Sequence, residues 1–230
     1  MAEAAGAPSP SVAPSVVVFD FDGTLVGRDS FIDFALHYCA RRPARLLAIL
    51  AVLPLAALLR LRSESSAASV LLWAMTLGVS TRRFVMELRR YAELKLSRHA
   101  HEAIFAELTR HLGAGDCVVI ATGTVPVLVR ALLGVRSYQR LPVVGSRLRR
   151  KWGGLVAETH CVGSVKVREL ERRFGIVSWT SVYTDSFADR SLMSRARDIT
   201  LVSPSSRTLG RTQRLLGEGA ALRVLQGRQR

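Results

Sequence analysis

The chain alternates short apolar runs with longer helical patterns. Runs rich in β-branched and aromatic residues, bounded by turn-forming residues, predict buried strands. The predicted strands are Val16–Phe19, Cys117–Ile120, Trp179–Tyr183 and Ile199–Val202. Helical patterns separate them, and strands that alternate with helices indicate an α/β fold around a mostly parallel sheet.

The segment between the first two strands is mostly helical and contains two apolar runs. Leu46–Leu59 has no charged residue, is flanked by arginines and is interrupted only by Pro54, and Ala67–Val79 is a second uncharged run. The polar linker between them predicts a helical hairpin over residues 46–79. A helix of the first run's 14 residues spans about 21 Å, less than the roughly 30 Å hydrocarbon core of a bilayer, so we do not expect a simple transmembrane span.

Two interpretations of this hairpin stay open. Apolar runs of this length are by default buried, which would make the hairpin the core of a soluble cap. Helices that are apolar on all sides are, however, difficult to solvate on a small protein. This favours a hairpin in the membrane interface, with the flanking arginines on anionic head groups.

Polar residues suited to phosphate chemistry follow three of the predicted strands. They are Asp20, Asp22 and Gly23 after the first strand, Thr122 and Gly123 after the second, and Asp185 and Asp189 after the third. Open α/β sheets bind ligands at the carboxyl ends of their strands, so these residues are candidates for one site. Lys166 begins a predicted helix, where a cation opposes the helix dipole unless it is exposed or has an anionic partner such as phosphate.

Two further patterns have no clear chemical role. Residues 141–159 predict a β-hairpin that turns at Gly153–Gly154, with a basic first arm that either meets an anionic substrate or protects an edge strand. His99, His101 and His111 fall in amphipathic helical segments. Histidines two apart on a helix point in different directions, so we expect surface residues and no metal site there.

The composition indicates an anionic partner. The formal charge is +15, which attracts phosphates, anionic lipids or nucleic acid. Cys39, Cys117 and Cys161 show neither a disulfide framework nor metal-ligand spacing, as is typical of a reducing compartment. Residues 1–15 are predicted to be a disordered leader, since they lack the basic residues of a signal peptide. Residues 206–230 are predicted to be a basic tail.

The order and spacing of the motifs resemble the four signature motifs of the haloacid dehalogenase-like phosphatases. The motifs are Asp-Phe-Asp-Gly-Thr from Asp20, Thr-Gly-Thr from Thr122, the single Lys166, and Asp-Ser-x-x-Asp from Asp185. The resemblance covers roughly residues 16–204. It implies a Rossmann-like α/β core, residues 16–29 and 113–205, and an inserted helical cap, residues 30–112, as in the phosphoserine phosphatase branch.

A more specific resemblance is to the bacterial phosphatidylglycerophosphatase C family. The similar stretches are Leu71–Trp73, Cys161–Gly175 and Tyr183–Ser186, with an apolar, arginine-flanked segment before them. That family removes the terminal phosphate of phosphatidylglycerol phosphate at the inner membrane. The resemblance implies a lipid phosphate substrate, an anionic membrane surface as partner, and a location at the cytoplasmic face of the bacterial inner membrane.

Family position also implies catalytic roles. Asp20 would be the nucleophile that forms an aspartyl-phosphate, and Asp22 the general acid and base. Thr122, the amide of Gly123 and Lys166 would bind the phosphate oxygens.

The resemblance further implies Mg²⁺ as the cofactor. Asp20, the backbone carbonyl of Asp22 and Asp185 would hold the ion, and Asp189 would orient its ligands.

Two other functions stay open. One is a soluble phosphatase of a small metabolite, of the phosphoserine phosphatase type, with residues 46–79 buried and a cytoplasmic location. The other is a basic, non-catalytic protein that binds nucleic acid or anionic lipid. The positive charge favours the second, but aromatic residues are only 7% of the chain and no nucleic-acid-binding motif is present. We therefore expect no specific nucleic-acid partner.

Overall fold

The structure, a computed structural model, describes residues 15–216 and 221–227. The leader predicted over residues 1–15 lies, except for Ser15, outside the described residues. The same is true of residues 217–220 and 228–230 in the predicted tail.

A parallel sheet forms the centre of the fold. The strands of the described chain, including the separate hairpin of β4 and β5, are β1 Val16–Phe19, β2 Cys117–Ala121, β3 Val143–Val144, β4 Arg147–Lys151, β5 Gly154–Thr159, β6 Trp179–Thr184, β7 Ala196–Val202 and β8 Ala221–Leu225. In the part of the chain that the structure describes, six strands form the main sheet in the order β3-β2-β1-β6-β7-β8. All its neighbouring strands are parallel, which confirms the predicted α/β fold.

Helices connect these strands. They are α1 Ser30–Ala40, α2 Pro43–Arg60, α3 Glu64–Thr76, α4 Thr81–Leu94, α5 Glu102–Gly113, α6 Pro126–Val135, α7 Ser164–Phe174, α8 Arg190–Met193 and α9 Ser206–Leu215. Asp29, Ser63, Ser80 and Ser205 cap the first turns of α1, α3, α4 and α9, since their side chains accept a backbone N–H. Gly175 ends α7 in the left-handed conformation that glycine adopts without a Cβ penalty.

Strand β1 is buried on both faces of the sheet. Val17, Val18 and Phe19 have 0% exposed surface. Side chains alternate along a strand, so Val17 and Phe19 pack on one face and Val18 on the other. The ring of Phe19 stacks on Tyr183 of β6, with 4.2 Å between ring centroids. This packing fixes the backbone that carries Asp20, the next residue in the chain.

Helices α1 to α4 form a cap that shares its apolar core with the sheet. The rings of Tyr38, Phe84 and Tyr91 surround Phe34, with centroids 5.4–5.6 Å from it. All four side chains are buried, and they continue into the core on the Phe19 face of the sheet. The cap is therefore packed onto the sheet through α1 and α4.

The hairpin of β4 and β5 lies against cap helix α3. The Leu155 N–H donates to the Thr76 hydroxyl at 2.8 Å, and the indole N–H of Trp73 donates to the Trp152 carbonyl at 2.9 Å. Gly154 allows this close approach, since a Cβ there would lie 2.6 Å from the Trp73 ring. The hairpin covers one face of α3.

The predicted β-hairpin is confirmed over Arg147–Thr159, with its turn at Trp152–Gly153, one residue earlier than predicted. Val143–Val144, at the start of the predicted hairpin, instead pair with β2 in the main sheet.

The two helices of the predicted apolar hairpin differ in burial. Leu72 and Met75 of α3 are buried, whereas Ala56 is the one buried residue of α2, a helix that the structure describes throughout. The hairpin is confirmed, but its interpretation as a buried cap core is wrong for α2. Among the described residues, α2 is the one helix whose length and composition would allow it to cross a membrane. It has 18 residues and a length of about 27 Å.

Two histidines expected at the surface are buried. His101 is 5% exposed and His111 is 7% exposed. The His101 Nδ1 lies 2.9 Å from the Thr24 carbonyl oxygen, and His111 contacts the Asp116 carboxylate and the Tyr183 hydroxyl. The surface expectation is wrong for both because this part of the chain packs against the first loop and the sheet.

Part of the predicted basic tail extends the main sheet. Strand β8 pairs in parallel with β7, from Ala221 opposite Asp198 to Leu225 opposite Val202. Arg223 of β8 also forms an ion pair with Glu107 of α5 at 3.1 Å. The described residues beyond 205 are therefore part of the α/β fold.

Candidate active site

Lys166 joins two carboxylates at the carboxyl edge of the sheet. Its Nζ donates to Asp20 Oδ1 at 2.7 Å and to Asp189 Oδ2 at 2.8 Å. The three side chains are buried, with 4% of Lys166, 6% of Asp20 and 2% of Asp189 exposed. The fold thus brings together three residues that the sequence motifs single out separately.

Each of these three residues is held by its own element. The Asp20 N–H donates to the Tyr183 carbonyl at 2.9 Å. Lys166 lies in the first turn of α7, after Gly163, whose φ of 56° turns the chain into the helix at no Cβ cost. The Thr184 hydroxyl donates to the second carboxylate, Asp189, at 2.9 Å. The cluster is therefore organised by the protein itself.

Asp22 lies where the sheet meets the cap. Its Oδ1 accepts the N–H of Ser30, the first residue of α1, at 2.8 Å. Burial raises the pKa of Asp22 to about 6, although the hydrogen bond from the Ser30 N–H opposes this rise. A carboxyl group with a pKa close to neutrality is suited to both donating and accepting a proton.

Asp185 packs against the glycine of the first loop. A Cβ on Gly23 would lie 2.2 Å from Asp185 Oδ2, and Gly23 has a φ of 75°. Both the space and the backbone conformation therefore require glycine. Burial raises the pKa of Asp185 to about 6, and the charges of Asp189 and Asp22 add to the rise.

Negative charge exceeds positive charge at this edge. Among the described side chains, Lys166 is the cation that hydrogen-bonds to these carboxylates. Burial raises the pKa of Asp20 well above its usual value; Lys166 lowers it, and Asp189 and Asp185 raise it further. Burial lowers the pKa of Lys166, but its two carboxylate partners raise it by more, so Lys166 stays an ammonium ion.

This surplus of carboxylate oxygens fits a hard divalent cation. Mg²⁺ binds in proteins through one or two carboxylates and completes its shell with water and substrate phosphate. Asp20 and Asp185 supply two such groups, and a cation would relieve the repulsion that raises their pKa. Within residues 15–216 and 221–227, no three His, Cys, Asp or Glu side chains form a metal cluster. The predicted Mg²⁺ ligands would not form such a cluster, because only Asp20 and Asp185 contribute side chains and Asp22 would contribute its backbone carbonyl.

Thr122 and Gly123 lie in the loop beside Asp20. The register that pairs Phe19 with Ile120 places the loops after β1 and β2 next to each other. Thr122 Oγ1 accepts the Thr124 N–H at 3.0 Å, and the Gly123 carbonyl accepts a hydrogen bond from the Ser146 hydroxyl. In the described structure they make no hydrogen bond to Asp20 or Lys166. Their position beside Asp20 thus follows from the pairing of β1 with β2 and not from side-chain contacts.

Several hydroxyl groups near the site have no role in the sequence-based prediction. Thr184 holds Asp189, as described above. The side-chain hydroxyls of Thr24, Ser30 and Thr124 are buried and have no hydrogen-bond partner among the described residues. A buried polar group without a partner costs about 1–3 kcal/mol, so these hydroxyls favour ordered water or a polar ligand at this edge. Thr24 and Thr124 belong to the motifs that start at Asp20 and Thr122, and Thr184 directly precedes the motif that starts at Asp185.

A sequence model of one protein family matches most of the chain. The family is described as haloacid dehalogenase-like hydrolase, and the match covers residues 17–194. The chain belongs to this family. The match includes all the predicted site residues, from Asp20 to Asp189, and it confirms the prediction of a hydrolase.

Several solved structures have a similar fold. A protein with unknown function from Bordetella pertussis Tohama I has a TM-score of 0.65 at 16% identity, covering 92% of this chain and 99% of its own. A phosphoserine phosphohydrolase-like protein from Francisella tularensis subsp. tularensis SCHU S4 has a TM-score of 0.56 at 13% identity, covering 88% and 100%. A phosphoserine phosphatase in apo form has a TM-score of 0.54 at 16% identity, covering 92% and 94%. These TM-scores establish a shared fold, and the predicted Rossmann-like architecture is confirmed.

Proposed function

We propose that the protein is a phosphomonoester hydrolase that forms an aspartyl-phosphate on Asp20. The observation that carries this proposal is the buried contact of Lys166 with Asp20 and Asp189 at the carboxyl edge of the sheet. An ammonium group 2.7 Å from the nucleophile can orient it and stabilise the charge of the transferring phosphoryl group. Thr122 and the Gly123 amide, in the adjacent loop, would bind further phosphoryl oxygens.

The reaction consists of two displacements. An Asp20 carboxylate oxygen bonds to phosphorus while the ester P–O bond breaks, and the Asp22 carboxyl gives its proton to the leaving alkoxide. Water then bonds to phosphorus, Asp22 accepts a proton from it, and the P–O bond to Asp20 breaks. Phosphate leaves, and both carboxyl groups return to their starting states. Unaided hydrolysis of a phosphate monoester is so slow that an enzyme accelerates it by a factor on the order of 10²¹. The covalent intermediate divides this reaction into two easier steps.

Mg²⁺ is the proposed cofactor. Asp20, the backbone carbonyl of Asp22 and Asp185 would hold it, and Asp189 would orient these ligands through the contacts it makes with Lys166 and Thr184. When bound, the ion supplies charge neutralisation for the carboxylates and the phosphoryl group. The surplus of carboxylates at the edge supports this assignment.

A lipid phosphate, such as phosphatidylglycerol phosphate, is the proposed substrate, at the cytoplasmic face of the bacterial inner membrane. The apolar surface of α2 supports it: Leu47 is 66% exposed, Leu50 51% and Leu58 60%. Soluble proteins rarely expose a contiguous apolar surface of this kind unless it contacts a membrane or another protein. The resemblance to the phosphatidylglycerophosphatase C family also favours this substrate.

The start of α2 carries the residue types that anchor proteins at membrane surfaces. Arg41 precedes α2 and Arg45 lies in its first turn, where the Arg45 guanidinium donates to the Leu77 carbonyl. The Gly78 N–H donates to the Gly153 carbonyl at 2.9 Å, which places the tip of the β4–β5 hairpin at the same end. Trp152 at this tip is 77% exposed. Tryptophan and basic residues are enriched at membrane–water interfaces.

Phosphate release by purified protein tests the proposal. With Mg²⁺, we expect faster release from phosphatidylglycerol phosphate in detergent micelles than from phosphoserine or a nucleoside monophosphate. Chelation with EDTA should reduce release to background, and added Mg²⁺ should restore it. Full activity after metal removal would contradict the cofactor, and absence of release from every ester would contradict the hydrolase. Faster release from phosphoserine than from the lipid would instead support the small-metabolite phosphatase.

A further inference from the structure

A cavity lined by cations lies in the cap, between α1 and α4. Its volume is about 310 Å³. The charged groups in its lining, histidine aside, are Arg41, Arg42, Glu87, Arg90 and Lys95. Four cations thus face one carboxylate.

The cavity lies at the opposite end of α1 from the proposed catalytic residues. Asp22 contacts Ser30, the first residue of α1, whereas the α1 side of the cavity runs from Phe34 to Arg42 and carries its arginines at the far end. At about 1.5 Å per helical residue, His37 lies about 10 Å along the helix axis from Ser30, and the arginines lie further. The catalytic proposal makes no use of this cavity.

The carboxylate in the lining is already neutralised. The Arg42 guanidinium lies 2.6 Å from the Glu87 carboxylate, donates to the Tyr38 carbonyl at 3.1 Å, and stacks 4.0 Å above the Tyr38 ring. These contacts fix Arg42 and offset the charge of Glu87. Among the described side chains, Arg41, Arg90 and Lys95 have no ion pair. Their positive charge is therefore available to a ligand.

The floor of the cavity is rigid. Phe34, Tyr38 and Tyr91 line it and are buried in the aromatic cluster of the cap. His37 completes the wall, 5.5 Å from Tyr91 between ring centroids. Burial lowers the pKa of His37, and the charges of Arg41 and Lys95 lower it further. The positive charges of Arg41 and Lys95 thus both reach the His37 ring in the cavity wall.

Helix dipoles give an alternative reason for some of these cations. Arg41 and Lys95 are the C-cap residues of α1 and α4, where the dipole favours positive charge. Arg90 lies before the last turn of α4, so the dipole does not explain it. Neither does the dipole explain why the three unpaired cations line one concave surface.

We propose that this cavity binds a phosphate-bearing anion, either the head group of an anionic lipid or a soluble phosphate compound of similar size. Guanidinium and ammonium groups bind phosphate through charge-assisted hydrogen bonds, and the cavity volume lies at the lower end of the range for small-ligand sites. Arg41 and Arg42 directly precede α2. A lipid head group bound there would lie beside the helix that exposes its leucines. The site is separate from the proposed catalytic centre, and its occupancy requires no turnover.

Titration of the ¹⁵N-labelled full chain with glycerol 3-phosphate in EDTA tests the site by NMR. We expect amide shifts at residues 37–42 and 90–95, and a dissociation constant at least about tenfold weaker in Arg41→Gln/Arg90→Gln, since each charge-assisted bond is worth about this factor. Arg82→Gln/Arg89→Gln is the matched control, because it removes two exposed charges of α4 outside the cavity lining. It should bind within about twofold of wild type.

Two results would overturn the proposal: no shifts at these amides, or equal weakening by both double variants, which would indicate a diffuse positive field. Circular dichroism should show both variants folded, and Lys95→Gln provides a second test from another position. Phosphate release from a soluble ester should stay within about twofold of wild type in all variants. A failure of this site is therefore distinguishable from a failure of the proposed hydrolase.

Vesicles distinguish the two sources of the anion. We compare cosedimentation with phosphatidylcholine vesicles that contain or lack phosphatidic acid. If Arg41→Gln/Arg90→Gln loses at least about tenfold more affinity for the phosphatidic acid vesicles than the control, the ligand is a lipid head group. If the two double variants bind these vesicles with equal affinity, and only the control variant keeps the wild-type affinity for glycerol 3-phosphate, the ligand is a soluble phosphate compound.

Discussion

The carboxyl edge of the sheet and helix α2 both reverse the usual distribution of side chains. At the edge, the charged groups of Asp20, Lys166 and Asp189 are at most 6% exposed, whereas the leucines between 46 and 58 that face solvent on α2 are 43–66% exposed. Buried charges and large exposed apolar surfaces are both unfavourable for an isolated protein. Each region therefore favours a partner outside the chain, which in our proposal is a phosphate ester with Mg²⁺ at the edge and the apolar phase of a membrane at α2.

Helix α3 shows that apolar composition alone does not cause the exposure of α2. Both helices belong to the same hairpin, but the β4–β5 hairpin covers α3 through the hydrogen bonds of Thr76 and Trp73. No corresponding element covers α2 among the described residues. The partner that the cap gives to α3 would, in our proposal, come to α2 from a membrane.

The largest expected effect is at the edge. Asp20→Asn preserves the shape of the side chain, but an amide cannot attack phosphorus, so we expect phosphate release to fall at least about a thousandfold. Circular dichroism should be unchanged. Asp198→Asn, a partly exposed carboxylate on β7, is the matched control and should keep full activity. Activity of Asp20→Asn within about tenfold of wild type would remove Asp20 from the nucleophile's role.

Lys166→Met separates catalysis from stability at the same edge. Loss of the ammonium should lower kcat at least about a hundredfold, similar to the loss of one oxyanion-hole donor. It also leaves two buried carboxylates without their partner, so the free energy of unfolding should fall by about 3–5 kcal/mol. Kinetics are measured well below the midpoint of thermal unfolding. A folded variant with normal kcat would make Lys166 a structural residue only.

Charges on α2 test the other side of the comparison. Leu50→Glu/Leu58→Glu should weaken binding to anionic vesicles by about a hundredfold, since each carboxylate would have to enter the interface unpaired. Both positions are exposed, so activity on a soluble phosphomonoester should persist. Met86→Glu/Val135→Glu adds the same charge at exposed positions outside α2 and should bind as wild type does.

Salt sharpens this test. The Debye length falls from about 10 Å at 0.1 M to about 3 Å at 1 M, which weakens arginine contacts but not apolar burial. Wild-type protein should therefore stay on vesicles at high salt. Failure of the wild type to bind vesicles in a flotation gradient, or unfolding of Leu50→Glu/Leu58→Glu, would contradict the membrane proposal.

The smallest expected effect is at the tip of the β4–β5 hairpin. Trp152→Ala should weaken vesicle binding by about tenfold or less, because only part of one aromatic side chain would leave the interface. Phe174→Ala, an exposed aromatic at the end of α7, should have no effect. A loss larger than that of Leu50→Glu/Leu58→Glu would move the membrane contact from α2 to the hairpin tip.

Local patterns were sufficient for the central strands and the candidate site. Strands β1, β2, β6 and β7 are short apolar runs between turn residues, so their signal lies within a few neighbouring positions. The end of α7 at Gly175 is equally local, since only a residue tolerant of a positive φ ends a helix in this way. The site residues follow these elements directly, so their motifs could be recognised one by one.

Burial and pairing over long distances required the tertiary structure. Strand β8 contains Arg223 and lies at the sheet edge, where one-sided pairing imposes little periodicity, so its sequence resembles a basic tail. His101 and His111 are buried by contacts with Thr24 and Tyr183, which are distant in the sequence. The sequence by itself determined strands β1, β2, β6 and β7 and the motifs of the candidate site, because these depend on local periodicity and backbone preference. Only the tertiary structure decided that α3 is covered while α2 is exposed, because burial depends on which distant segment packs against each helix.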